Sequence, residues 1–403
     1  MRFFHLSDLH IGKQLHHYNL KEDQEHILQE VVQYARELAP DAIVIAGDIY
    51  DKSVPSAEAV EIFDGFLTAL SELTVPVLLI AGNHDSAQRL DYAKEILGRQ
   101  HIFIAGKVPE TAEEHLRRVT LSDEYGEVDV YLLPFLKPGY VRQVFTHETT
   151  ESDQDLREGG QEQPECSLQL PETYQEAVRR LLEREHIDWT RRNILVSHQF
   201  YAGAGGEMLT CDSENVQVGG IDRIDSSVVE KFDYVALGHL HGAQCAGQEY
   251  VRYCGTLLKY SVSESEQEKT LHVVNLKAKG EPAEVIKYPL HPLRDVCKVR
   301  GELKEILADA EEICGNYISV TLTDESEPYK PKEQLERVFS HILEVRMDNS
   351  RTRQKLCESV QEGELQDPLT LFGEFYREVQ GRELSEEERT VLCDILAQNA
   401  AEG

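Results

Sequence analysis

Five short stretches of the sequence end a strand-forming run in aspartate, asparagine or histidine. They are SDLHIG with Asp8 and His10, AGDIYD with Asp48, AGNHDS with Asn83, His84 and Asp85, VSHQ with His198, and LGHLH with His239 and His241. Any one of them has an ordinary explanation as a turn, since Asn and Asp favour turns and Gly permits unusual backbone angles. Taken in order, however, D-x-H, GD, GNHD, H and GHLH form a series. In α/β folds the loops at strand C-terminal ends converge on one sheet edge, where ligands bind, so the five runs aim their polar ends at one place. The inventory Asp8, His10, Asp48, Asn83, His198, His239 and His241 offers two carboxylates, one amide oxygen and four imidazoles. That is too many for one ion and suits two. Oxygen and nitrogen donors without thiolate favour Mn²⁺, Fe or Zn²⁺ over Ca²⁺ or Cu(I). Two such ions about 3.5–4 Å apart activate a water and stabilise the leaving oxygen of a phosphate ester. Holding them so close needs a bridging carboxylate, for which Asp48 is the candidate. His84 is the extra imidazole, placed for the phosphoryl charge of a transition state or for proton donation to the leaving oxygen. Asp85 holds the turn or orients His84.

The elements that must position these groups alternate between two periods. Strand-like RFFHLS precedes a helix from about Lys21 to Leu38, in which Leu28, Val31, Ala35 and Leu38 recur at helical spacing. Strand DAIVIAG, a helix from about Ser56 to Leu73 and strand VPVLLIAG follow, a β-α-β-α-β order that predicts an α/β sheet with helices packed on it. The second helix carries a wide apolar stripe (Val60, Phe63, Leu67 and Leu70, extended by Ile62, Phe66, Ala69 and Leu73), which serves either a dimer surface or burial in a large core. Further strands are expected near 127–135, 192–199 and 232–239, with a short pair ending near Val274. The acidic segment 147–166 cannot bury a core and reads as a surface insertion.

Beyond Lys277 the pattern changes to a small α/β unit that ends in a helix with Leu335, Val338, Phe339 and Ile342 on one face. Residues 347–366 read as a linker. In 367–403, Phe372, Phe375, Tyr376 and Val379 mark one amphipathic helix, and a capping box of Ser385 and Glu388 starts a second carrying Leu392, Ile395 and Leu396. A terminal hairpin of this kind is a docking element. The expected division is therefore 1–280, 281–346, 347–366 and 367–403.

At 403 residues the chain is long enough for two or three domains. Its apolar runs fall well short of the ~20 residues of a membrane span, and MRFFHLSDLH has no signal-peptide core. The eight cysteines are scattered without a C-x-x-C pair, which argues against a zinc ribbon or disulfide framework and for a reducing cytoplasm. A net charge of −32, from 41 basic and 73 acidic side chains, opposes a polyanionic partner unless bound cations, a basic patch or a partner protein offsets it. Gly203, Gly205 and Gly206 in YAGAGGE read as a flexible loop, because no G-x-x-x-x-G-K-[ST] accompanies them. His16 and His17 read as solvated loop residues, and His5, His101 and His272 as structural ones.

The ordered series resembles the calcineurin-like binuclear metallophosphoesterases. FFHLSDLHIGK, IVIAGDIYDKSVPSAEAV, LIAGNHDS and YVALGHLHGAQ narrow the likeness to a family of bacterial DNA nuclease subunits that act with an SbcC-type SMC-like ATPase. The likeness spans the chain except for residues 147–190. It implies a four-layer α/β/β/α metallophosphoesterase sandwich with a small α/β capping domain over DNA and a C-terminal helical hairpin that grips the ATPase. It further implies one metal on Asp8, His10, Asp48 and His241, a second on Asp48, Asn83, His198 and His239, and His84 as the catalytic group. The ions would be two divalent cations, Mn²⁺ foremost. The implied activity is exonuclease action on DNA ends and endonuclease action on single strands and hairpins, by a homodimer within a heterotetramer. Relatives from archaea and eukaryotes carry a histidine where this chain has Asp51, so no role of that histidine carries over. Two rival readings are a phosphodiesterase or nucleotidase for small phosphoesters, which the C-terminal hundred residues disfavour, and a metal-free scaffold.

Overall fold

The computed structural model describes residues 1–145, 170–203, 208–214, 222–326 and 328–350, together with Tyr376, Arg377, Arg382, Ser385, Glu388 and Arg389. The acidic insertion, Gly205 and Gly206, the expected linker beyond Ser350 and most of the expected terminal hairpin lie outside the described residues. The chain divides into two compact units. One comprises Met1–Lys298, Glu311–Ser319 and Phe339–Leu343, the other Val299–Ala310, Val320–Val338 and the remainder from Glu344.

The first unit is built on two six-stranded sheets. One contains β1 (Arg2–Leu6), β2 (Ala42–Ala46), β3 (Val77–Ile80) and β4 (Ile102–Ala105), and the other β5 (Arg117–Asp123), β6 (Gly126–Leu133), β7 (Arg192–His198), β8 (Tyr234–Gly238), β9 (Gln244–Cys245) and β10 (Val251–Tyr253). β11 (Thr270–Asn275) and β12 (Glu284–Pro289) complete the first, giving the orders β12-β11-β1-β2-β3-β4 and β9-β10-β8-β7-β6-β5. β1 to β4 run parallel, as do β6, β7, β8 and β10, while β11 pairs antiparallel with β1 and β12 with β11. Two strands expected as a short pair, β10 and β11, thus belong to different sheets. Their interval of some sixteen residues leaves room for a crossing loop, which composition alone does not reveal. The first sheet also continues past residue 280, through β12.

Three apolar cores separate four layers. Ile43 and Ile45 of β2 point outward to helices α1 (Lys21–Leu38) and α2 (Ala57–Glu72), whereas Ala42, Val44 and Ala46 point inward to Ile194 and Val196 of β7. The second sheet turns Leu195, Val235 and Leu237 to its other side, against Tyr174, Ala177, Val178 and Leu181 of α3 (Tyr174–Glu183). Burial on both faces explains why AIVIA and VLLI read as continuous apolar runs and not as alternating ones. The order helix, sheet, sheet, helix is the expected four-layer sandwich.

Helix α1 has the expected bounds, and α2 starts where the Ser56 hydroxyl caps it by accepting from Ala59 N at 3.2 Å. Of the α2 stripe, Ile62, Phe63, Phe66 and Leu70 are buried, each contributing about 1.5–3 kcal/mol if fully withdrawn from water. Val60, by contrast, is 44% exposed.

Residues 296–347 supply β13 (Val296–Gly301), α4 (Leu303–Ala308), β14 (Tyr317–Leu322), α5 (Pro331–Leu335) and β15 (His341–Met347), with the strands ordered β13-β14-β15. The helix expected through Ile342 is corrected here: α5 stops at Leu335, Val338 lies in the turn that follows, Phe339 just beyond that turn, and Ile342 is in β15. A 3.6-residue spacing matched, but Ile342, Val345 and their neighbours pair as a strand, and tertiary pairing overrides so short a helical signal. Near the C-terminus the capping box is present, with Glu388 N donating to Ser385 Oγ at 3.3 Å and Ser385 N donating to Glu388 Oε2 at 2.9 Å.

Candidate metal centre

The seven donors stand at the ends of five strands. Asp8 and His10 follow β1, Asp48 follows β2, Asn83 follows β3, His198 ends β7, and His239 and His241 follow β8. Four of them, Asp8, His10, Asp48 and His239, have left-handed backbone angles with φ of 53°, 43°, 49° and 108°. Such conformations cost about 1–3 kcal/mol each and persist only where the surroundings enforce them. Here Asp8 N donates to Gly47 O and His10 N to Asp48 O, both at 3.0 Å, zipping the two loops together. His239 N donates to both Asp8 carboxylate oxygens at 3.1 Å. Glycine is required beside the donors for close approach. A Cβ on Gly82 would lie 2.1 Å from Asp48 Oδ1, and one on Gly238 2.0 Å from Ala46 O.

The side chains converge as the sequence predicts. His10 Nε2 lies 3.1 Å from His241 Nε2, and Asn83 Oδ1 lies 3.0 Å from both His198 Nε2 and His239 Nδ1. Asp48 Oδ2 sits between these groups, 3.7 Å from His10 Nε2 and 3.4 Å from His198 Nε2. Ligand atoms of Asp8, His10 and His241 fall within 4.8 Å of one another, as do those of Asp8, Asp48 and His198. His10 Nδ1, though buried, has no hydrogen-bond partner among the described residues. Lone pairs crowded at this density, with a buried ring nitrogen left over, fit the binding of divalent cations.

His84 adds an imidazole at the open side. Its ring lies 4.9 Å from that of His10, its Nδ1–H donates to Asp51 O at 2.8 Å, and its backbone N–H donates to Asp48 Oδ1 at 2.9 Å. It also belongs to a third close group with His10 and Asp48. Asp85 holds the turn: its carboxylate accepts from Ile49 N, Tyr50 N and Gly82 N at 3.1, 2.9 and 2.9 Å. Asp51 pairs with Lys13 at 2.8 Å. His16 and His17 are exposed, as expected.

Several supporting residues have no sequence signature of their own. His198 Nδ1–H donates to Ala46 O at 2.7 Å, which directs Nε2 to the site. His241 Nδ1–H donates to Ser213 Oγ at 2.7 Å, and Ser213 in turn donates to Glu264 Oε1 at 2.6 Å. Glu264 is fully buried and pairs with Lys269 at 2.7 Å, while Lys269 also reaches His241 O at 3.0 Å. Glu214 accepts from His241 N at 2.6 Å, and Gln24 Nε2 donates to His10 O at 2.8 Å.

Electrostatics sort the donors into charged and neutral. Burial pushes the Asp48 carboxyl up, but the charge and hydrogen bond of His198 prevail and hold it well below the carboxylate range. Burial likewise works against a charge on His198, yet Asp48 and Asp8 raise it to about 9, so a cation bound at Nε2 would have to displace that proton. His239 is lowered to about 3, first by burial and then by His198, and His10 is lowered well below its usual value by burial. Both are therefore neutral at pH 7, the form in which imidazole binds a metal. Burial, reinforced by Asp48, raises Asp85 to about 7.

Residues 1–243 match the model of the calcineurin-like phosphoesterase family, and residues 289–380 match that of the type 5 capsule protein repressor C-terminal domain. The chain is 29% identical to the SbcD component of the SbcCD nuclease of Staphylococcus epidermidis, over 98% of each chain. It is 27% identical to the corresponding component of the SbcCD nuclease of Staphylococcus saprophyticus, over the whole of both. A dimetal phosphatase from Danio rerio shares 14% identity over 72% of this chain and 99% of its own, at a TM-score of 0.36, too loose a likeness to bear on function. With a family match over more than half its length, this chain belongs to the calcineurin-like phosphoesterases.

Proposed function

We propose that the chain is a metal-dependent DNA nuclease subunit that works with an SbcC-type SMC-like ATPase, cutting DNA ends, single strands and hairpins. The convergence of the seven donors about Asp48, with His84 at the open side, is the observation that carries this reading. Full-length similarity to chains named as components of the SbcCD nuclease supports it.

Two bound divalent ions, Mn²⁺ foremost, supply Lewis acidity and a nucleophilic water. Asp8, His10, Asp48 and His241 would hold one, and Asp48, Asn83, His198 and His239 the other. The protein's own task is then to fix these groups and to place His84 against the phosphoryl oxygens or the leaving oxygen. With Nδ1 committed to Asp51 O, His84 presents Nε2 for that role. The net charge of −32 is offset locally by the cations, while the partner supplies the remaining hold on DNA.

In this reading the catalytic body runs from the N-terminus through β12, which ends at Pro289, the residues from there to 346 cap the DNA, 347–366 links, and 367–403 docks the ATPase. Two copies pair through the edge of α2 that carries Val60, within a cytoplasmic heterotetramer. Among the described residues no helix is long and apolar enough to cross a membrane. The test is digestion of a hairpin oligonucleotide with Mn²⁺, with and without the ATPase. Cleavage that chelation abolishes and the ATPase with ATP accelerates is expected. Hydrolysis of small phosphoesters with no DNA cleavage under either condition would refute the reading.

A further inference from the structure

A cleft of about 870 Å³ opens beside the donor cluster, with Asn83 and His239 on its wall. Four aromatic residues line it: Tyr174, which is buried, and Phe135, Phe200 and Tyr140. The Phe135 ring lies 6.4 Å from that of His198, the Phe200 ring lies 6.4 Å from that of His239, and Tyr140 is 54% exposed. Lysines are few there: Lys107 is paired with Glu110 at 3.2 Å, and Lys137 stands exposed beside Phe135.

Such a lining is poorly suited to hold a polyanion by charge, in a chain already strongly acidic. It is suited to stacking, which every base offers from its flat face and which does not depend on cations. A duplex keeps those faces stacked on one another and shows the protein mainly its phosphates. An unpaired strand does not. A small phosphoester would occupy only the wall formed by Asn83 and His239 and would leave Tyr140 untouched.

We infer that this cleft receives the unpaired nucleotides adjoining the scissile phosphate, and that Phe135, Phe200 and Tyr140 select single-stranded over paired DNA by stacking on its bases. The inference rests on the nuclease reading above. It assigns to that site a subsite for single strands, with Lys137 against a phosphate.

The test compares wild type with Tyr140→Ala, Lys137→Ala and Phe200→Leu, the last keeping bulk while removing the aromatic face. Each is assayed with Mn²⁺ on a single-stranded oligonucleotide, on its blunt duplex and on bis(p-nitrophenyl) phosphate. Loss of one stacked base should raise KM for the oligonucleotide about tenfold in Tyr140→Ala and Phe200→Leu. The ratio of kcat/KM on oligonucleotide to kcat/KM on the ester should fall by the same factor, with a smaller fall for Lys137→Ala. An unchanged KM overturns the inference, as does a proportional loss on all three substrates, since the rings would then serve only to shape the metal seat. A wild type that hydrolyses the ester but neither DNA overturns the nuclease reading itself, and this inference with it.

Discussion

Replacing Ser213 with alanine tests how the fold prepares a metal ligand. Ser213 Oγ accepts from His241 Nδ1–H at 2.7 Å and donates to Glu264 Oε1 at 2.6 Å, so a single hydroxyl links the imidazole to a buried carboxylate. Burial disfavours a charged Glu264, but the contact with His241 and the charge of Lys269 hold its carboxyl well below the usual range, so it stays ionised near pH 7. The relay fixes His241 with its proton on Nδ1 and its lone pair on Nε2, 3.1 Å from His10 Nε2. In Ser213→Ala the Nδ1–H loses its acceptor, whereas Glu264 retains Lys269 at 2.7 Å and Ser261 Oγ at 3.0 Å. Two hydrogen bonds are lost, each costing about 0.5–1.5 kcal/mol of stability. The effect on the ion at His241 is larger, about 10- to 100-fold in affinity, because removing a partner that orients a metal-binding histidine has that range. Calorimetric titration with Mn²⁺ would resolve one weakened and one unaltered site, and Ser213→Thr should restore the first. Two affinities within twofold of wild type would refute the relay as an orienting device. Glu264→Gln should cost more stability than Ser213→Ala, because it strands the Lys269 charge.

Four further outcomes follow from the same geometry. His84→Ala should lower the cleavage rate by about 10²–10⁴ while both metals still bind, and loss of metal as well would move His84 into the ligand set. Gly82→Ala, whose Cβ would lie 2.1 Å from Asp48 Oδ1, should cost about 1–3 kcal/mol in thermal unfolding and weaken Mn²⁺ binding as Asp48 is displaced. Stability should fall as pH drops below about 6.5. Burial lowers His5 to about 3 and His272 to about 2, so the unfolded chain takes up protons that the folded chain refuses, at about 1.4 kcal/mol per pH unit per histidine between those limits. Urea unfolding at pH 7.5 and 5.0 checks the sign, and His272→Leu should flatten the slope.

The donors were legible because each sits inside a short motif that ends a strand, and because strand ends in an α/β sheet share an edge. Their support was not. Ser213, Glu214 and Lys269 come from irregular segments and Glu264 from a single 3-10 turn, with neither periodicity nor motif, and only the fold brings them behind His241. The same limit explains the misread helix at Leu335–Ile342, where four apolar residues at helical spacing are shared between a short helix, a turn and a strand. For the long elements the signal was sufficient. The α1 helix runs for 18 residues, and the unbroken runs AIVIA and VLLI already required cover on both faces, which one outer core and the central one supply.

The central claim is that two cations share Asp48. Anomalous diffraction from crystals soaked in Mn²⁺ tests it directly. Two peaks about 3.5–4 Å apart are expected, one among Asp8, His10 and His241, the other among Asn83, His198 and His239, with the Asp48 carboxylate between them. A single peak, or two that do not share Asp48, would contradict it.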